Sequence, residues 1–300
     1  MIAMNHQYLS AVKIIEPGAS GRVLPETPFK SKNSLTDHPL FEPARIRKLL
    51  QSMPRDMIEV RGVQSLGKDD GSFKRGPMLT DVDPVRSFDE LGDKPTWMLL
   101  HNTWLLDPEY NELLTSYVED LRDHFDDMQG ELSDLGCWMF LSSGRCVVHF
   151  HADPDQSFLN QIRGSKTVYV YPASVLPEQA VENLVWTSNQ GAVVYQPEYE
   201  SQMFEPVHLA PSESVFLPLY APHRVTNDPG ISVSWNVGFH TPASRRRKQV
   251  HMVNLEMRHM GITPRPYNNS PTVDSLKTKM FFPLKVKNRL FRSLKPVVKV

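Results

Sequence analysis

From Gly136 onward the chain is a succession of short apolar runs cut by turn residues, and this rhythm excludes most architectures. The runs are "CWMFLSS" (137–143), "RCVVHFH" (145–151), "KTVYVYP" (166–172), "AVVYQP" (192–197), "SVFLPLY" (214–220) and "ISVSWNVGF" (231–239). Each is rich in β-branched or aromatic residues and too short for a helix with a buried stripe. Many short strands at such spacing close into a sandwich or barrel, because a single small sheet cannot cover both of its faces. The 25 prolines fit a loop-rich β protein better than a helical bundle.

Helical signals lie on either side of this region. "FEPARIRKLLQSM" (41–53) reads as a short helix, and residues 107–128 as the clearest one. There Asp107 can cap, Pro108 suits the first helical position, and Leu113, Leu114, Tyr117, Val118, Leu121 and Phe125 form one stripe. "TWMLLHNTWLL" (96–106) reads as a buried strand. Residues 58–76 read as a strand running into a mobile Gly-rich loop. Residues 244–261 return to helix, with Ser244 as the cap, Val250, Val253, Met257 and Met260 as a stripe, and Gly261 as the stop. The expected class is mainly β with helical additions. Residues 1–95 form a helical and loop region, 96–243 the β-barrel core, and 244–300 a helix with a basic tail.

Composition limits the class of function. With 300 residues, 40% hydrophobic and 22% charged, the chain can build one substantial core. No apolar run nears the roughly 20 residues of a membrane span. The N-terminus lacks the layout of a secretion signal, and the two cysteines, Cys137 and Cys146, make no disulfide framework. A cytoplasmic location is expected. The net charge of −1 is uneven, because eight cations and no acid follow Asp274. The tail "FFPLKVKNRLFRSLKPVVKV" is expected to dock on the acidic body or to make a weak anionic contact.

Between His149 and Lys166 polar groups crowd into apolar sequence. Alternation along a strand places His149, His151 and Asp153 on one side. His223 offers a third ligand at the end of a second strong strand. Two histidines and a carboxylate on one side of a metal make the facial triad of non-haem iron, with positions left open for dioxygen and a chelating cosubstrate. Lys166 enters an otherwise apolar strand, which is costly unless an anion pairs with it.

These residues resemble the JmjC branch of the cupin-like Fe(II)- and 2-oxoglutarate-dependent oxygenases, and within it the small hydroxylases. The resemblance rests on His151-Ala-Asp153, Ser157-Phe158, the run Gln161-Ile162-Arg163-Gly164-Ser165-Lys166, Pro218 through His223, and the strand carrying Asn236. It covers roughly residues 136–240 and implies a double-stranded β-helix, or jelly roll. It implies that His151, Asp153 and His223 bind Fe(II) and form the catalytic centre. Lys166 would bind the distal carboxylate of 2-oxoglutarate, with Asn236 and Ser157 beside the cosubstrate. The chain departs from the family pattern at Ser157, where Asn is common, and at Val148, where a polar residue is common. The implied reaction uses O2 to hydroxylate a C–H bond, first of all on a peptide or protein side chain, as the small hydroxylases do.

Other readings stay open. The substrate could be a small metabolite. Demethylation of N-methyl-lysine ranks third, since no zinc-ligand cluster accompanies the barrel. From another class comes a non-catalytic metal-binding cupin with a regulatory or binding role, in which His149, Asp155 and Asn227 join the ligand motifs. That reading leaves Lys166 unexplained. His101, His208 and His240 read as structural, and Trp104, Trp138 and Trp235 as core. Arg245–Lys248 sits oddly in the first turn of a helix, which an acidic partner would explain. A homodimer through the C-terminal helix is also expected.

Overall fold

The computed structural model describes residues 22–62, 76–187 and 193–293, with side chains described through residue 282. The Gly-rich loop expected around Lys68–Gly76 lies almost wholly outside them. Chain order runs through β1 (Phe29–Lys32), α1 (Pro43–Ser52), β2 (Ile58–Gly62), α2 (Pro84–Asp89), β3 (Thr96–His101) and α3 (Pro108–His124). It continues with β4 (Ser133–Ser142), β5 (Val147–His151), β6 (Gln156–Arg163), β7 (Lys166–Val170), α4 (Glu178–Thr187) and β8 (Val207–Leu209). The last elements are β9 (Glu213–Leu217), β10 (His223–Asn227), β11 (Ser232–His240), α5 (Pro242–His259) and α6 (Pro271–Ser293).

One sheet has the order β1-β9-β6-β11-β4-β3-β2 and the other β5-β10-β7-β8, and all pairings are antiparallel. From β4 to β11 the chain alternates between the sheets except at the β7–β8 hairpin. This is the double-stranded β-helix expected from the sequence. Because β1 and β2 join the larger sheet, the N-terminal region and the barrel share one core. Among the described residues no helix is long and apolar enough to cross a membrane.

Alternation sorts the side chains into layers. On β11, Val233, Trp235, Val237 and Phe239 face outward and pack with Ile46 and Leu49 of α1 and Tyr117 and Leu121 of α3. The inward positions of the barrel bring Leu159, Val168, Val170, Val215, Leu217 and Val225 together between the sheets. Each such buried side chain contributes about 1.5–3 kcal/mol relative to exposure. All nine residues of β11 are buried, since both of its faces are covered.

Several expectations need correction. "AVVYQP" is not a strand: residues 193–196 are irregular and lead into a 3-10 turn at Pro197–Gln202. Val193 and Tyr195 instead pack with Phe150, covering the smaller sheet from outside. The segment around Ser157 and Gln161, absent from the expected strands, is β6, an inner strand of the larger sheet. Two of its polar residues are matched: Asn160 accepts from Tyr117 Oη at 2.9 Å and Ser214 Oγ at 2.7 Å, and Gln161 accepts from Ser234 Oγ at 2.7 Å. His223 opens β10 rather than closing the preceding strand, because Pro218–Pro222 forms a turn.

The C-terminal helix begins one turn earlier than expected. Thr241, not Ser244, is the cap, its Oγ1 accepting from the Ser244 N–H at 3.3 Å. Arg245, Arg247 and Lys248 meet acids of the same chain, Glu131 at 3.7 Å, Glu26 at 3.6 Å and Asp134 at 2.6 Å. Of the expected stripe, Val250 and Val253 are buried in the chain's own core, while Met260 is exposed. The basic C-terminal segment begins as α6, which packs against α5.

Candidate metal centre

β5 and β10 are neighbours, and their register sets His151 directly opposite His223. Beyond that pair the register shifts, so that His149 and Phe150 together oppose Arg224. Such a bulge re-aims side chains at the rim of a barrel. The imidazoles of His151 and His223 have centroids 4.3 Å apart. Asp153 follows at the end of β5, its Oδ2 3.8 Å from His223 Nε2. One donor atom from each of the three lies within 4.8 Å of the others.

The backbone fixes how the rings present themselves. His151 Nδ1 is 2.7 Å from the His149 carbonyl and His223 Nδ1 is 3.1 Å from the Ala221 carbonyl. A carbonyl can only accept, so each Nδ1 carries a proton, and in the neutral ring the lone pair then lies on Nε2. Metal-ligating histidines are commonly held this way. Both histidines are buried and Asp153 is half-buried. A ligand bond length of about 2.0–2.2 Å lets donors 3.8 Å apart share one ion. The donor set, two neutral imidazoles and a carboxylate, fits a divalent transition metal. His149 stacks on His151 at 5.1 Å but is not part of the donor group, and neither is Asp155.

Lys166 opens β7 after a turn in which Gly164 takes a φ of +69°. Across β10 the pairs are His223 with Val170, Val225 with Val168, and Asn227 with Lys166. Lys166 therefore lies on the same inward face as His223, about 13 Å further along the strand. It is only 5% exposed, and among the described residues no carboxylate pairs with it. Burial pulls its ammonium down to about 8, with the neighbouring Cys146 thiol acting in the opposite direction. A buried cation is costly unless an anion meets it.

Other inward polar atoms also lack partners. Ser157 Oγ, Asn236 Oδ1 and Asn227 Oδ1 are buried without a hydrogen bond, although Asn227 Nδ2 donates to Ser142 Oγ at 2.6 Å. Ser157 pairs across the sheet with Gly238, and Asn236 with Trp138 and Leu159. The sequence-predicted residues thus line one interior, with the triad and Lys166 at different levels of it.

Two neighbours of the triad carried no sequence signal of their own. Gly136 and Gly238 are cross-strand partners, and the Trp138 ring lies over both. A Cβ at Gly238 would stand 2.5 Å from Asp155 Oδ2 and 2.7 Å from the Trp138 ring. Asp155 is thereby held beside Asp153, and burial together with the Asp153 charge pushes its carboxyl up to about 8. Trp138 is half-buried at this rim rather than part of the core. Trp235 is core as expected. His101 pairs with Glu59 at 3.1 Å, His208 with Asp228 at 3.1 Å, and His240 with Ser244 at 3.3 Å, all structural as expected.

No protein-family model matches the chain, and no curated protein matches its sequence. Among solved structures it is similar to the ribosomal oxygenase YcfD of Escherichia coli. A crystal structure of that protein aligns at 15% identity and a TM-score of 0.46, over 86% of this chain and 63% of the other. Its complex with cobalt and 2-oxoglutarate aligns at 17% identity and 0.46, over 86% and 63%. Its complex with cobalt and succinic acid aligns at 17% and 0.45, over the same shares. The chain therefore spans less than two thirds of the length of these structures.

Proposed function

We propose that the chain is an Fe(II)- and 2-oxoglutarate-dependent oxygenase that hydroxylates a C–H bond, with a peptide or protein side chain as substrate. The observation that carries this reading is one barrel interior holding both a two-histidine, one-carboxylate donor group and a buried, unpaired lysine. A metal-binding cupin needs the first and has no use for the second.

His151, Asp153 and His223 would hold the iron through two Nε2 atoms and a carboxylate oxygen. Lys166 would pair with the far carboxylate of 2-oxoglutarate, which offsets the cost of burying its ammonium. Asn236 and Ser157 would take hydrogen bonds at their unpaired oxygens. When bound, iron and 2-oxoglutarate supply O2 activation coupled to decarboxylation. The protein's part is to keep the donors in their tautomers and to exclude water.

A peptide suits the site better than a small metabolite because the larger sheet outruns the smaller one. β3 and β2 continue past β4 at one edge of the larger sheet. Across from β4 they set Trp97 opposite Ser142, Leu99 opposite Phe140 and His101 opposite Trp138, with Glu59 and Arg61 of β2 next in the same rows. An edge of the sheet lined by such side chains fits an extended chain.

The test is succinate release from 2-oxoglutarate by iron-loaded protein once air is admitted, run beside His151→Ala. Succinate from the parent and none from the variant is the expected result. If the parent makes none, and manganese-loaded protein does not bind 2-oxoglutarate, the oxygenase reading fails and a binding cupin replaces it.

A further inference from the structure

A second group of donor atoms sits among the C-terminal helices. Glu178 and Glu182 stand one turn apart on α4, so their carboxylates share a face, and His251 meets them from α5. One donor atom from each lies within 4.8 Å of the others. Glu182 is wholly buried and His251 is 3% exposed.

The hydrogen bonds tie down one oxygen of each carboxylate. Glu178 Oε1 accepts from the Tyr267 N–H at 2.9 Å and from Asn254 Nδ2 at 3.2 Å. Glu182 Oε2 accepts from Arg258 Nε at 2.7 Å. By contrast Glu182 Oε1, Asn254 Oδ1 and both ring nitrogens of His251 are buried with no hydrogen bond. Each such group costs on the order of 1–3 kcal/mol when left unmet, and chains rarely gather several in one place. The unmet set is rich in acceptors, which is what a cation needs and an anion does not. Carboxylates fixed through one oxygen and offering the other are held as metal ligands are held.

We propose that Glu178, Glu182 and His251 form a second divalent-cation site, separate from the barrel triad, that takes a transition ion such as zinc and staples α4 to α5. Its cationic neighbours set its strength. Arg258 Nη2 lies 3.9 Å from Glu178 Oε2, and Lys277, donating to the Arg265 carbonyl, is close enough to act on both carboxylates. They offset the acidic charge, so the site binds zinc more weakly than the same donors would alone. The assignment stands whether or not the barrel is an oxygenase.

The experiment is zinc titration of the metal-stripped full chain carrying His151→Ala and His223→Ala, which removes the barrel donors. One zinc per chain is expected, with a thermal midpoint that rises on zinc addition. Adding Glu182→Gln should abolish both effects, and adding His251→Gln should do the same. No zinc uptake by the parent double variant overturns the proposal, and the unmet atoms then hold water only. Uptake unchanged by the added substitutions overturns it too. Should the added variants fail to fold, zinc-edge X-ray absorption of the parent decides. An imidazole and oxygen shell supports the site, and a shell without imidazole overturns it.

Discussion

At the residue scale the site turns on two positions with opposite demands. Lys166 is a charge where the packing would take an apolar side chain, and Gly238 is a vacancy where most strands would carry one. Lys166→Ala should weaken 2-oxoglutarate binding to manganese-loaded protein by roughly tenfold to a hundredfold, the worth of a charge-assisted hydrogen bond. Metal affinity, measured in parallel, should hardly move. Equal losses of both would show that Lys166 supports the fold instead of the anion. Gly238→Ala drives a Cβ against the Trp138 ring and the Asp155 carboxylate. We expect a loss of about 1–3 kcal/mol in urea unfolding, as for other overpacked sites. The same variant should bind metal less well, because Asp155 stands two residues from Asp153.

At the element scale, helix ends show how local signals and tertiary contacts share one side chain. Asp107 caps α3 by accepting from the Glu109 N–H at 3.0 Å, and it also pairs with Arg45 of α1. Asp107→Ala should cost about 1–2 kcal/mol in urea unfolding, the usual worth of a lost cap. Asp107→Asn keeps the cap and drops the charge, so it should recover most of that loss. An Asn variant no better than Ala would mean that the Arg45 pair dominates. The buried stripe of α3, Leu113, Leu114, Tyr117, Val118, Leu121 and Phe125, follows directly from its spacing. On α5 the same reasoning found Val250 and Val253 but could not say what they face. That helix has barrel on one side and α4 and α6 on others, and periodicity does not distinguish a chain's own core from a partner.

For the whole molecule, His240 joins the end of the barrel to the helical layer. It is fully buried, its Nε2 has no hydrogen bond, and Asp134 is 3.8 Å away. Burial pulls its imidazole from 6.5 down to about 4, Lys248 pushes the same way, and Asp134 opposes both. Above pH 6.5 neither the folded nor the unfolded chain binds this proton, and the stability is fully present. Between pH 6.5 and about 4 the unfolded chain takes up a proton that the folded chain refuses, so stability falls. The loss from this residue is of the order of 3 kcal/mol at the acid end. Urea midpoints from pH 7.5 to 4.5 should show a shallower decline in His240→Asn than in the parent. Parallel declines would assign the acid sensitivity to other groups.

The sequence by itself determined the class of fold and named three residues, His151, Asp153 and His223, that the fold brings together. Short apolar runs have few ways to bury two faces, and a histidine, an aspartate and a lysine in a strand-forming stretch have few reasons to be there. The tertiary structure alone decided which strands are neighbours and where the polar ones lie. β6 is missing from the expected strands because Ser157, Asn160 and Gln161 break its apolar pattern, and Tyr117, Ser214 and Ser234, distant in sequence, meet Asn160 and Gln161 once it is buried. "AVVYQP" reads as a strand, yet Val193 and Tyr195 pack with Phe150 outside the smaller sheet. The pairing of His151 with His223 across 72 positions is likewise a matter of register, as is the meeting of Glu182 with His251. Local composition fixes what a segment can be, while long-range pairing fixes which of its polar groups are met, and the unmet ones mark the sites.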